Sequence, residues 1–309
     1  MKEKIEVVLV TYNPDISTLI QCINSLINQV ERIIIVDNTP LGTKELNSFN
    51  HENIELIYLY ENMGIAYAQN IGIKKAMDNG AEFVLTSDQD TVYPENYVLG
   101  MLAIYKIHIT DLRIGAIAPF FRDINSNNEL MPIMIYENEK ISRLRSFDTD
   151  IQEVYCVSHV ISSGMIMNRD ALLEIGLMDA DLFIDWVDTE WCFRANKLNY
   201  KILQTSKLVI THQLGDNAKK LFKYTLTNHN YIRRYYRVRN GIYILFYNKY
   251  INKSMKWYII ESLLKMVIMH FFQANSKINE IKNKYFAIKD GIVKNIGILK
   301  RDLKINEKN

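Results

Sequence analysis

A chain of 309 residues that is 48% apolar and 23% charged can bury a substantial core, and its composition excludes a disordered, collagen-like or small disulfide-stapled protein. With 12 Gly and 5 Pro it has few linkers, and no fixed period marks a solenoid. The net charge of +2 hides an asymmetry: residues 1–216 sum to −13 and residues 217–309 to +15. Three cysteines, Cys22, Cys156 and Cys192, lack the spacing of a disulfide framework or zinc knuckle and suit a reducing compartment. The opening Met1-Lys-Glu-Lys-Ile-Glu has no small-residue cleavage site, so the expectation is a cytoplasmic chain whose first strand starts at once.

In chain order, the β-rich run at 5–10 ends in Thr11-Tyr12-Asn13-Pro14, and apolar residues then recur from Ile16 to Ile27 at helical spacing. A second run, 32–36, ends in Asp37-Asn38-Thr39-Pro40. A third, 54–59, ends in Glu61-Asn62-Met63-Gly64 and leads into a helical pattern over 66–77. The fourth, 83–86, ends in Ser87-Asp88-Gln89-Asp90. Strands alternating with helices predict an α/β protein with a mostly parallel, doubly wound sheet and ligands at the carboxyl ends of its strands. Thr11, Asp37, Asn62 and Asp88 should then share one rim, although each alone reads as a turn or N-cap residue. Neither a dinucleotide fingerprint nor a P-loop is present.

Asp88 and Asp90, two apart past a buried strand, would project to the same side if extended, and they offer hard oxygen ligands suited to Mg²⁺ or Mn²⁺ on a diphosphate. A second acidic cluster, Asp185-Trp-Val-Asp188-Thr-Glu190-Trp191, sets carboxylates among apolar neighbours, which raises a pKa and favours proton acceptance. Asp185 and Asp188 share a face if this segment is helical. His212 closes the apolar run 208–211; alone it reads as a structural histidine or a ligand.

Beyond residue 216 the pattern turns to long, basic, Tyr-rich helices. The dense apolar stretch from Trp257 to Phe272 is too short and too charged to cross a bilayer. It reads as an interfacial helix or as a helix packed by its apolar face on the catalytic part. No nucleic-acid motif appears.

The ordered set Val8-Leu-Val-Thr11-Tyr12-Asn13, Val36-Asp37-Asn38, Asn62-Met-Gly64 through Asn70-Ile-Gly72, Asp88-Gln-Asp90, Ser163-Gly164 and Asp185-Trp-Val-Asp188-Thr-Glu190-Trp resembles family 2 glycosyltransferases of the GT-A fold. Within them it is similar to bacterial rhamnosyltransferases that use dTDP-L-rhamnose, and the likeness spans roughly residues 4–245. It implies that Thr11, Tyr12, Asn13, Asp37, Asn62, Gly64, Asn70 and Asp88 bind the nucleotide sugar. Asp90 and His212 would hold the divalent cation, and Asp188 would be the catalytic base. Val187 stands where many relatives carry Glu, which leaves Asp185 and Glu190 as alternatives for the base. Gly164, Trp186, Glu190, Trp191 and Arg239 are candidates for the acceptor side, the two tryptophans with core packing as the competing role.

The implied reaction is inverting transfer to a saccharide, often lipid-linked, in surface polysaccharide synthesis. The basic 217–309 region gives an anionic membrane surface at the cytoplasmic side a physical basis. A homo-oligomer remains open. The competing readings are a nucleotidyltransferase, a glycoside hydrolase and a membrane-associated scaffold with a degenerate transferase domain.

Overall fold

The computed structural model describes residues 3–123, 130–145, 153–212, 216–221, 224–228 and 231–300. The first four strands, β1 (Ile5–Thr11), β2 (Arg32–Asp37), β3 (Ile54–Tyr58) and β4 (Phe83–Asp88), form within one or two residues of the expected runs. Helices α1 (Ile16–Leu26) and α2 (Ile65–Asp78) follow β1 and β3, and α3 (Tyr97–His108) follows β4. The four strands lie in the order β3-β2-β1-β4, all parallel. Every residue of β1 is buried because helices cover both faces. Val7, Leu9, Ile33 and Ile35 pack with α1 and α3 on one side, whereas Val8, Val10, Ile34 and Val36 face α2 on the other.

Beyond β4 the sheet changes character. β5 (Ile114–Asp123), β6 (Ile133–Glu137), β7 (Lys140–Leu144), β8 (Val154–Val157), β9 (Met165–Asn168) and β10 (Lys201–His212) extend it to ten strands in the order β3-β2-β1-β4-β9-β5-β10-β8-β6-β7. β9 runs antiparallel between β4 and β5, and β8, β6 and β7 add antiparallel pairs, so the parallel half sits within a mixed sheet. α4 (Arg169–Ile175) and α5 (Val187–Lys197) lie between β9 and β10.

The basic region opens with a separate two-stranded sheet, β11 (Asp216–Leu221) and β12 (Tyr224–Asn228), followed by α6 (Tyr231–Tyr247), α7 (Lys253–Gln273) and α8 (Lys277–Ile292). The 257–272 stretch falls within α7, and the packed-helix expectation holds for one face of it. Its inner face, Met255, Ile259, Leu263 and Met266, joins the core, while large apolar side chains on its outer face stay in water. No described helix is long and apolar enough to cross a membrane.

Candidate active site

The carboxyl ends of the parallel strands bring the rim residues into register. Thr11 pairs with Asp37 across β1 and β2, and Val10 pairs with Asp88 across β1 and β4. Asp37 is buried and shapes the loop that follows it: it accepts from the Thr11 hydroxyl (2.9 Å), the Thr43 amide (2.6 Å) and the Thr39 amide (3.3 Å). Asn38 donates to Asn62 (3.0 Å) and accepts from the Met63 amide (2.8 Å), which ties the ends of β2 and β3 together. Tyr12 and Asn13 remain exposed above this floor.

β4 ends at Asp88, and Gln89 and Asp90 form a turn, so the two acids do not project in parallel from one extended strand. The turn is tied instead by Gln89, whose side-chain carbonyl accepts from the Tyr12 amide at 2.8 Å. Val92 bridges to Thr211, which sets the backbone of β10's last residue, His212, beside the Asp90 turn. The His212 side chain lies outside the described residues, among which no cluster of three or more metal-ligating groups occurs.

The second acid segment meets the first through the 162–164 turn. Thr91 and Ser163 hydroxyls are 2.7 Å apart, Thr86 donates to the Ser162 carbonyl (2.6 Å), and the Ser162 amide donates to Asp188 at 3.1 Å. The Thr189 amide adds a bond of 2.7 Å to the other carboxylate oxygen. Burial nevertheless pushes Asp188 up to about 6, and the charges of Asp88 and Asp185 act in the same direction against those two amides. A carboxyl group poised there is half ionised near pH 6 and about nine-tenths ionised at neutrality, the form suited to accept a proton. Asp185 precedes α5 in the left-handed region (φ 63°) rather than on the helix, and Arg233 of α6 pairs with it at 3.1 Å.

Phe183, Asp185 and Trp186 all have positive φ, at 65°, 63° and 67°. Such backbone costs about 1 kcal/mol or more apiece in a residue with a side chain. α6 holds it in place. Asn240, fully buried, donates to the carbonyls of Leu182 (2.7 Å), Ile184 (2.8 Å) and Asp185 (3.1 Å), and the Trp186 indole donates to the Arg237 carbonyl (2.9 Å). Gly64, at φ 85°, lets the start of α2 approach the same loop: a β-carbon there would lie 2.6 Å from the Phe183 carbonyl.

A family model described as glycosyl transferase family 2 matches residues 6–176. The chain belongs to glycosyl transferase family 2. It is 32% identical over 294 residues to the dTDP-rhamnosyl transferase RfbF of Shigella flexneri, covering 94% of this chain and 96% of that one. Among solved structures it is similar to GalNAc-T7 with UDP, GalNAc and Mn²⁺ (TM-score 0.60, 15% identity) and to TarS of S. aureus (TM-score 0.60, 16% identity). Those alignments cover 93% and 94% of this transferase and 57% and 49% of the other chains. TarS 1-349 in complex with UDP-GlcNAc aligns with TM-score 0.55 at 18% identity, over 94% and 80% of the two chains. The fold is the GT-A fold.

Several expected contact residues of the transferase are occupied otherwise. Asn70 exchanges two hydrogen bonds with the backbone of Met178 (2.8 and 2.9 Å) and braces α2 against the loop after α4. Gly164 is buried, with its carbonyl taken by the Tyr97 hydroxyl, because the turn into β9 needs φ 79°. Trp191 is fully buried and donates to the Gly176 carbonyl (2.8 Å), so its ring packs the core and has no face for a sugar. Glu190 is buried against Arg194 (2.8 Å) and Asn248 (2.7 Å), which removes it as an alternative base. Arg239, 1% exposed, donates to the carbonyls of Asp181, Leu182 and Gly297, because α6 closes over the loop that precedes α5. Trp186 stays beside Asp188, partly exposed and edge-on to Tyr258 of α7.

Gln89, Ser162, Arg233 and Asn240 help hold the site, and of these Gln89 and Ser162 were not among the expected residues. Gln89 carried a local signal in its place between the two acids. The others act through tertiary contacts only.

Proposed function

We propose that this family 2 transferase moves L-rhamnose from dTDP-L-rhamnose to a hydroxyl of a saccharide acceptor, with inversion, in bacterial surface polysaccharide synthesis. The observation that carries the reading is Asp188, seated by two backbone amides, raised to about 6 and under the influence of the Asp88 charge at the donor rim. The full-length likeness to a dTDP-rhamnosyl transferase supports the choice of donor.

In this reading Asp37 accepts from the pyrimidine N–H, with Thr11, Tyr12, Asn13, Asn62, Gly64 and Asp88 around the nucleotide. Asp188 takes the proton from the acceptor hydroxyl as that oxygen attacks the anomeric carbon opposite the leaving diphosphate, and a single displacement inverts the centre. The amides of Ser162 and Thr189 aim the carboxylate, and Arg233 keeps Asp185 from competing for the proton. Asp88 and Asp90 supply hard oxygens and His212 lies beside them along the backbone, a donor set that fits Mg²⁺ or Mn²⁺. A cation held there would supply positive charge against the leaving diphosphate. A lipid-linked acceptor would place this chemistry at the cytoplasmic face of the membrane, with residues 1–216 as the catalytic unit and 217–309 as the region that meets acceptor or membrane.

The test is a panel of nucleotide sugars scored by thermal shift and by transfer, with Mg²⁺ or Mn²⁺ and with chelator. dTDP-L-rhamnose with cation should raise the melting temperature most, because a ligand that binds only the folded state stabilises it. Equal shifts from every nucleotide sugar would remove the donor assignment. Full transfer in excess chelator would remove the cation.

A further inference from the structure

The α7–α8 hairpin leaves large apolar side chains in water. On α7, Trp257, Leu264, Ile268 and Phe272 are each more than half exposed, opposite the buried face of the helix. On α8, Ile278, Ile281, Tyr285, Ile288 and Ile292 recur at steps of three and four residues and all remain exposed. The Lys277 ammonium sits over the Phe271 ring where the helices join. A stripe of this kind is either a seam for another helix or the lipid-facing side of an interfacial helix.

Charge decides between them. The two acids of α8 are turned inward: Glu280 pairs with Arg234 and Lys284, and Asp290 accepts from the Tyr235 hydroxyl at 2.7 Å. Lys277, Lys282 and Lys289 stay outside beside the stripe. On α7, Lys253, Lys256 and Lys265 are exposed, and Glu261, the exposed acid of that helix, is paired to Lys265. Two copies stacked seam on seam would set lysine against lysine, with Glu261, already paired to Lys265, the one exposed carboxylate of the two helices. A lipid surface carrying negative headgroups over hydrocarbon matches the lysines and the apolar side chains together.

We propose that the outer faces of α7 and α8 are a docking surface for an anionic lipid bilayer. The inner face of α7 borders the catalytic loop, where Tyr258 meets the Trp186 ring and bonds His159 at 3.0 Å. The bilayer would then lie about one helix diameter, roughly 10 Å, from the acceptor side. The surface deepens the acceptor reading above and rests on it only for why a membrane is needed.

Flotation of the full chain with vesicles of phosphatidylcholine, with and without about one-third phosphatidylglycerol, tests it. The protein should float with the anionic vesicles, much less with the neutral ones, and partly dissociate in high salt. The exposed double substitution Leu264→Glu with Ile281→Glu should lower anionic vesicle binding by roughly tenfold or more while leaving the melting temperature and dTDP-L-rhamnose binding unchanged. No flotation of the native chain, or undiminished flotation of the variant, overturns the proposal. So does a native dimer in sedimentation equilibrium that the variant dissociates, which would give the stripe to a second copy. Vesicle binding in a chain that fails to bind the donor would uphold the surface and remove the donor assignment alone.

Discussion

Two acid-bearing segments meet at the site, and they are held by different means. Asp88-Gln89-Asp90 ends a buried parallel strand whose register with β1 places it, and two bonds between the Gln89 side chain and the Tyr12 backbone complete the turn. The loop from Leu182 to Asp188 has no such scaffold. It carries left-handed backbone at Phe183, Asp185 and Trp186 and relies on α6, more than fifty residues later, to hold its carbonyls. A strand end comes with the sheet. A strained loop must be stabilised from elsewhere, and here α6 of the basic region supplies the bonds that hold it.

The largest test of this contrast is Asp188→Asn, which removes the proposed base and leaves the β4 end untouched. Transfer should fall about 10²- to 10⁴-fold with donor affinity retained. Full turnover would return the role to Asp185. The pH profile examines the same group. Because burial raises Asp188 to about 6, the carboxyl is protonated below that pH, and kcat/KM should fall roughly tenfold per unit on the acid side. A profile flat down to pH 5 would show that no such group limits the reaction.

Asn240→Ala separates the two segments directly. Three loop carbonyls and the Arg239 guanidinium lose a buried partner, so urea unfolding should show a loss of about 2–3 kcal/mol. The turnover number should drop while the KM for donor stays near the wild-type value; a parallel rise in donor KM would mean that the rim depends on α6 too. Gly64→Ala should cost about 1–3 kcal/mol, since the new β-carbon meets Phe183 and the backbone has positive φ. The smallest effect is expected from Trp191→Phe, about 1 kcal/mol for the lost bond to Gly176, with transfer unchanged. A large fall in transfer would restore Trp191 to the acceptor side.

What could be read ahead of the structure follows the reach of each interaction. The alternating apolar runs of β1 to β4 and the polar cluster after each are local patterns, and Asp37 and Asp88 emerged on the expected rim. Glu190, Trp191 and Arg239 show the converse: their residue types suit a binding site, but the folded chain buries them against Asn248, the Gly176 carbonyl and the carbonyls of Asp181 and Leu182, and half-buried Asn70 is tied to Met178. Asp185 and Asp188 do approach one another, although through a left-handed loop that no helical spacing describes.

By itself the sequence determined the alternation of strands and helices, the acids that end β4 and open α5, and the division of charge between the two parts of the chain, because periodicity and composition are written residue by residue. Tertiary structure alone decided that Asn240 would brace the loop before α5, that the Ser162 amide would donate to Asp188, and that the acids of α8 would turn inward and leave lysines outside. Burial and hydrogen bonding between distant segments set those outcomes, since a polar side chain's role depends on which desolvated partners the folded chain brings within about 3 Å.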